Sequence, residues 1–170
     1  DDPILDVQGA RAAGMRVIAT RASGRTGPDY VSYVGLPDEL LKLAGEADVV
    51  VNTAPLTPQT TGVFDAEFFA KMKPTAYFIN VGRGKSVVTS ALADALSSGA
   101  IAGAGLDVTD PEPLPAEHPL WRAPNLIVTP HVANDSDLGF GAQAEVIKEN
   151  TRRYVAGERM LSVVDVARGY

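Results

Sequence analysis

The stretch Ala76-Tyr77-Phe78-Ile79-Asn80-Val81-Gly82-Arg83-Gly84-Lys85 decides the fold. Its first four residues are apolar or aromatic and predict a buried strand. Gly82 and Gly84 then break that strand around an arginine. In an open parallel sheet, ligands bind just beyond the carboxyl ends of the strands. Arg83 is therefore a fixed cation where a substrate would lie. Its planar fork suits a carboxylate, which it can hold through two hydrogen bonds. The other reading of this stretch is an arginine that closes a surface turn.

Strand-like and helix-like segments alternate on both sides of this stretch. Upstream, residues 1–8 are acidic and patternless, and residues 9–13 read as the end of a helix closed by Gly14. Residues 15–20 and 30–34 read as short strands, separated by a polar loop over 21–29. Residues 36–44 read as a helix with Pro37 and Asp38 in its first turn. Residues 48–52 predict a strand buried on both faces. The loop 55–60 and a short helix over 65–71 follow.

Downstream, residues 89–98 read as a helix with Leu92 and Leu96 on one face, closed by Gly99. Thr89 is expected to cap it. A strand over 101–108 is thinned by Gly103 and Gly105, which suggests close approach of another backbone or a ligand. Residues 109–124 carry five prolines and read as an irregular loop, with Leu120 and Trp121 packing it down and His118 in solvent. Residues 125–129 predict the last core strand, 138–156 a long helix, and 161–166 one more strand. This alternation predicts an α/β fold, a doubly wound parallel sheet of Rossmann-like type.

Composition narrows the function. The chain has 170 residues, 45% of them hydrophobic and 21% charged, ordinary for a globular domain with a real core. Its net charge of -6 argues against nucleic acid and against anionic membrane. With no cysteine, disulfides, thiolate catalysis and thiolate metal sites are excluded, and two histidines do not suggest a metal site. No apolar run approaches a membrane span and no signal peptide opens the chain, so a cytoplasmic protein is expected. Asn134-Asp135-Ser136 matches a glycosylation triplet, a pattern common by chance.

Three charged residues fall at or just beyond predicted strand ends: Arg83, Glu112 and His131. All three loops should share one edge of the sheet. A histidine there can give or take a proton near neutral pH. A paired glutamate would orient its ring and stabilise the imidazolium. An arginine alongside would hold a carboxylate and polarise a carbonyl. Together these residues suit reduction of a 2-keto acid or oxidation of a 2-hydroxy acid. Singly, each also reads as a strand cap, a solvated charge or a turn residue.

The chain resembles the D-isomer-specific 2-hydroxyacid dehydrogenases, which include phosphoglycerate dehydrogenases and glyoxylate/hydroxypyruvate reductases. The resemblance runs in order through Gly14-Met15-Arg16-Val17, Ala47-Asp48-Val49-Val50, Pro55-Leu56-Thr57, Met72-Lys73-Pro74, Asn80 to Gly84, Ala104 to Val108, Glu112 to Pro115, Asn125 to His131 and the Val163-Val164-Asp165 tail. It implies that Arg83, Glu112 and His131 are the catalytic residues. It places Thr53, Ala54 and Pro55 near the adenosine half of a dinucleotide. Val81, Gly82 and Asp107 would lie near the nicotinamide, and Arg83, His131 and Ala133 would also be cofactor-binding. It also implies a homodimer for the full-length parent.

The sequence departs from that family in two places. Upstream of Met15 there are only Gly9 and Gly14, so the first Rossmann strand and its Gly-x-Gly-x-x-Gly loop are not recognisable. The chain is therefore expected to be the C-terminal part of a dehydrogenase. Residues 1–134 would be an incomplete dinucleotide-binding domain, and 135–170 a helix and tail that return to the substrate domain. The second departure concerns the cofactor. NAD enzymes place an acid at the end of the second strand. Here that strand ends Thr20-Arg21-Ala22-Ser23, with Arg25 near, which predicts NADP(H) over NAD(H). Two alternatives stay open at this point: a non-catalytic, dinucleotide-sensing corepressor, and an inactive fragment.

Overall fold

Short β-branched and aromatic runs become strands, and each is followed by a turn or helix on its carboxyl side. The computed structural model describes residues 4–133 and 136–166. In it, β1 (Val17–Thr20) pairs in parallel with β2 (Val31–Gly35). Four further strands, β3 (Val49–Asn52), β4 (Tyr77–Asn80), β5 (Gly103–Leu106) and β6 (Leu126–Val128), form a second parallel sheet in that order. The helices are α1 (Ile4–Ala12), α2 (Leu40–Glu46), α3 (Ala66–Lys71), α4 (Thr89–Ser98) and α5 (Ser136–Ala156). Helix α2 touches both β1 and α3, and α3 packs on α4.

The fold is the Rossmann-like α/β arrangement expected, but its sheet comes in two pieces. In the doubly wound order 3-2-1-4-5-6, the first strand lies between the second and the fourth. The described residues contain no such strand, so β1 and β3 do not pair. The chain is a partial domain.

The core lies on one face of the four-stranded sheet. Phe78, Ala104 and Leu106 point there and meet Phe64, Phe68, Phe69, Leu92 and Leu96. Phe78 packs edge-on against Phe69 with ring centroids 5.3 Å apart, a favourable aromatic geometry. Asp65 starts α3 by accepting the Phe68 amide at 2.9 Å. Gly99 ends α4 in the left-handed region at φ 71°.

Several expectations need correction. Strand β3 is not buried on both faces: Val49 and Val51 are 44% and 47% exposed, as is Tyr77 beside them at 51%. Period-two alternation turns these side chains away from the phenylalanine core, and no described element covers them. The tail over residues 161–166 forms no strand, because it has no strand to pair with among the described residues. Thr89 does not cap α4. Val88 holds that position, and the Thr89 hydroxyl donates instead to the Asp110 carbonyl at 2.9 Å. The helix expected from residue 36 begins as a 3-10 turn, Pro37–Glu39, and α1 starts earlier than expected, at Ile4. His118 is half-buried, and its Nδ1 accepts the Leu120 amide. The Asn134 and Asp135 positions of the glycosylation triplet lie outside the described residues.

Candidate active site

Because β4, β5 and β6 are parallel neighbours, their carboxyl ends share one edge, and three loops leave from it. The first is the arginine turn after β4. Asn80 ends the strand and holds the turn with its side chain: Oδ1 accepts the Gly82 amide and Nδ2 donates to the Arg83 carbonyl. Arg83 itself is exposed, and its Nη1 donates to the Gly82 carbonyl at 2.7 Å. Among the described residues no carboxylate pairs with its guanidinium. Gly84 is required by close packing, since a Cβ there would lie 1.9 Å from the Thr109 carbonyl oxygen. The arginine turn is thereby pressed against the start of the next loop.

That next loop, after β5, carries Glu112. Two cis prolyl bonds, Asp110-Pro111 and Glu112-Pro113, bracket it. Leu120, 1% exposed, anchors the loop to the core, and the Trp121 indole donates to the Pro115 carbonyl at 2.9 Å.

The third loop, after β6, carries His131. Its ring Nδ1 lies 2.6 Å from Glu112 Oε1, and both side chains are partly exposed. The contact orients the imidazole and leaves Nε2 with no partner among the described residues. His131 has φ 58°, a left-handed conformation uncommon outside glycine.

Asp107 holds that conformation. Its carbonyl accepts the His131 amide, while its carboxylate accepts the Thr129 hydroxyl and the Val132 and Ala133 amides, at 2.6, 2.8 and 2.8 Å. Burial works against ionisation of Asp107. The Thr129 hydroxyl, the two amides and nearby His131 outweigh it and hold the carboxyl below its ordinary range.

The remaining expected positions fall at two other strand ends. Thr53, Ala54 and Pro55 leave β3 on the same edge of the four-stranded sheet, and the Val81 amide donates to the Asn52 carbonyl at 3.1 Å. Thr20, Arg21 and Ser23 stand at the end of β1, in the other sheet. Arg21 Nε donates to Ser23 Oγ at 2.8 Å and Nη1 to the Thr26 carbonyl at 2.8 Å, with no acid beside it among the described residues. Arg25 is committed elsewhere, paired with Glu39 at 2.6 Å. The structure thus joins Glu112 with His131, while Arg83 touches neither.

Sequence reasoning missed Asn52, Ser86 and Thr129. A signal existed for the first: β3 and β4 both end in asparagine, and the two residues are register partners.

The profile of the D-isomer specific 2-hydroxyacid dehydrogenase NAD binding domain matches residues 7–133. The chain belongs to this family. A glyoxylate/hydroxypyruvate reductase A from Photorhabdus laumondii is 37% identical over 99% of this chain and 56% of its own length. Among solved structures, a probable 2-hydroxyacid dehydrogenase from Rhizobium etli, in complex with NADP, superposes with a TM-score of 0.84. It is 34% identical, over 96% of this chain and 52% of that one. An NADPH-dependent glyoxylate/hydroxypyruvate reductase from Sinorhizobium meliloti, also in complex with NADP, gives 0.83 at 36% identity over the same shares. The chain spans less than three fifths of the length of the curated relatives it matches. The matched residues belong to the family's NAD binding domain, and no described helix is long and apolar enough to cross a membrane.

Proposed function

We propose that the complete protein carrying this chain reduces a small 2-keto acid with NADPH, with His131 as the proton donor. The observation that carries the reading is the 2.6 Å contact between His131 Nδ1 and Glu112 Oε1 at the carboxyl edge of the sheet. In this reading His131 Nε2 gives a proton to the keto oxygen as it becomes a hydroxyl. Glu112 fixes the ring and balances the charge of the imidazolium that precedes the transfer. Arg83 holds the substrate carboxylate and polarises the adjacent carbonyl. The dinucleotide, when bound, supplies the hydride.

The residues present suit two parts of the dinucleotide. Arg21 and Ser23, with no acid beside them among the described residues, suit a 2′-phosphate. Val81, Gly82, Asp107 and Ala133 border the edge where the nicotinamide would lie, and Thr53, Ala54 and Pro55 the adenosine half. The amide cradle that a glycine-rich loop offers a pyrophosphate has no counterpart among the described residues. The relatives solved with NADP support the choice of NADP(H). We further propose that residues 135–170 return to a substrate domain, and that the complete protein is a cytoplasmic homodimer that binds neither nucleic acid nor membrane.

The test is initial-rate oxidation of NADPH, and separately of NADH, with glyoxylate, hydroxypyruvate and pyruvate. The reading expects turnover with at least one keto acid and a preference for NADPH. Absence of turnover with every keto acid would overturn it.

A further inference from the structure

Three polar side chains lie buried at the carboxyl edge of the four-stranded sheet. Asn52 is 3% exposed, and Asn80 and Ser86 are fully buried. Buried amides and hydroxyls are costly unless each polar atom is paired. Here the pairing closes completely. Asn52 Nδ2 spends its two protons on Asn80 Oδ1 and Ser86 Oγ, both at 2.8 Å. Asn52 Oδ1 accepts the Ala54 amide at 3.0 Å. Asn80 Oδ1 accepts the Gly82 amide, and Asn80 Nδ2 donates to the Arg83 carbonyl, both at 3.1 Å. The Ser86 hydroxyl, already an acceptor from Asn52, donates to the same carbonyl at 2.6 Å.

The network therefore converges on one atom, the Arg83 carbonyl oxygen. Two buried side chains fix the main chain of a residue whose own side chain is exposed. The three residues are buried, so any effect they have on substrate passes through the backbone at residues 80–83. A third arm, through the Ala54 amide, ties the loop after β3 to the same lock. A fully satisfied polar network of this kind specifies one arrangement of the chain rather than a family of similar ones.

We propose that Asn80 and Ser86, with Asn52 behind them, are positioning residues that aim Arg83 at the substrate carboxylate. The proposal rests on the reading of Arg83 as the carboxylate clamp. A misplacement of about 1 Å in such a group costs up to roughly a hundredfold in rate. A weakened lock should cost less, about tenfold, and should appear in the KM for the keto acid.

The experiment is a double-mutant cycle in the complete protein, with glyoxylate and NADPH as probes. Ser86→Ala, Arg83→Lys and the pair are compared in steady-state kinetics, with NADPH affinity and melting temperature recorded for each. The expected result is a rise of about tenfold in the glyoxylate KM for Ser86→Ala, with NADPH affinity within about twofold of wild type. In the Arg83→Lys background the same change should add less than about twofold, because its route to substrate has gone. An equal effect in both backgrounds, or a lowered melting temperature with unchanged KM, would overturn the positioning role. If Arg83→Lys alone left the KM unchanged, the clamp reading would fall and this proposal with it. Should Ser86→Ala not fold, Ser86→Cys carries the same cycle, since its thiol is a near-isosteric but weaker donor.

Discussion

The carbonyl of Asp107 accepts the amide of His131 at 2.8 Å, while the Asp107 carboxylate accepts the next two amides along the chain. One buried acid thus holds the left-handed turn that presents the histidine to Glu112. Replacing it by asparagine keeps the volume but substitutes a donor for one acceptor oxygen. Asp107→Asn should therefore destabilise the protein by about 1–3 kcal/mol. It should also lower turnover more than nucleotide affinity. The sign with pH follows from the lowered carboxyl. Its stabilisation is complete above the ordinary value of 3.8 and is lost as pH falls through the lower value of the folded protein. Chemical denaturation of both proteins across the acid range checks this, and equal acid sensitivity would contradict it.

Gly84 and Gly99 should respond differently to alanine. A Cβ at Gly84 would stand 1.9 Å from the Thr109 oxygen, a clash with main chain that no rotamer relieves. Gly84→Ala should cost about 3 kcal/mol or more and separate the arginine turn from the Glu112 loop. Gly99 has φ 71° but open space around it. Gly99→Ala should cost only the left-handed strain, about 1–2 kcal/mol, and leave activity intact. Denaturation midpoints and turnover of the two variants test the contrast.

Glu39 supplies a second acid-dependent contribution. The Tyr33 hydroxyl, the Leu36 amide and Arg25 together lower its carboxyl from 4.5 to about 2. A lowered value means stabilisation present above 4.5 and lost as pH falls towards 2. Glu39→Gln should therefore be less stable than wild type at neutral pH, and the gap should narrow steadily over that interval. A gap independent of pH would contradict the assignment.

The proposed role of Arg21 separates the two dinucleotides. Removing a charge-assisted contact to a 2′-phosphate costs about 1.5–3 kcal/mol, a factor of ten or more in affinity. Arg21→Ala should weaken NADPH binding by about tenfold and leave NADH binding within about twofold, read by calorimetry. Equal losses for both would mean that Arg21 serves the adenosine and not the phosphate.

The sequence made much of this molecule legible because local pattern carried it. Apolar runs ending in a break located β3, β4, β5 and β6. Parallel order then puts Arg83, Glu112 and His131 at one edge from the sequence alone. What escaped depends on distant partners. Asn52 and Asn80 are 28 residues apart, and only the register between β3 and β4 turns two strand-ending asparagines into one network. Val49-Val50-Val51 reads as buried throughout because all three are apolar, yet exposure depends on what covers each face. Val163-Val164 has the β-branched character of a strand, but a strand also needs a neighbour to bond with. Thr89 reads as a cap from its position, whereas the Asp110 carbonyl 21 residues away takes its hydroxyl.

The most direct test of the account compares wild type with His131→Gln in the complete protein. NADPH-dependent reduction of glyoxylate is measured beside NADPH affinity in the same preparations. The variant is expected to bind NADPH within about twofold of wild type and to lose at least about a hundredfold in kcat. A variant that turns over as fast as wild type would contradict the assignment of the proton to His131, and with it the account of this edge as an active site.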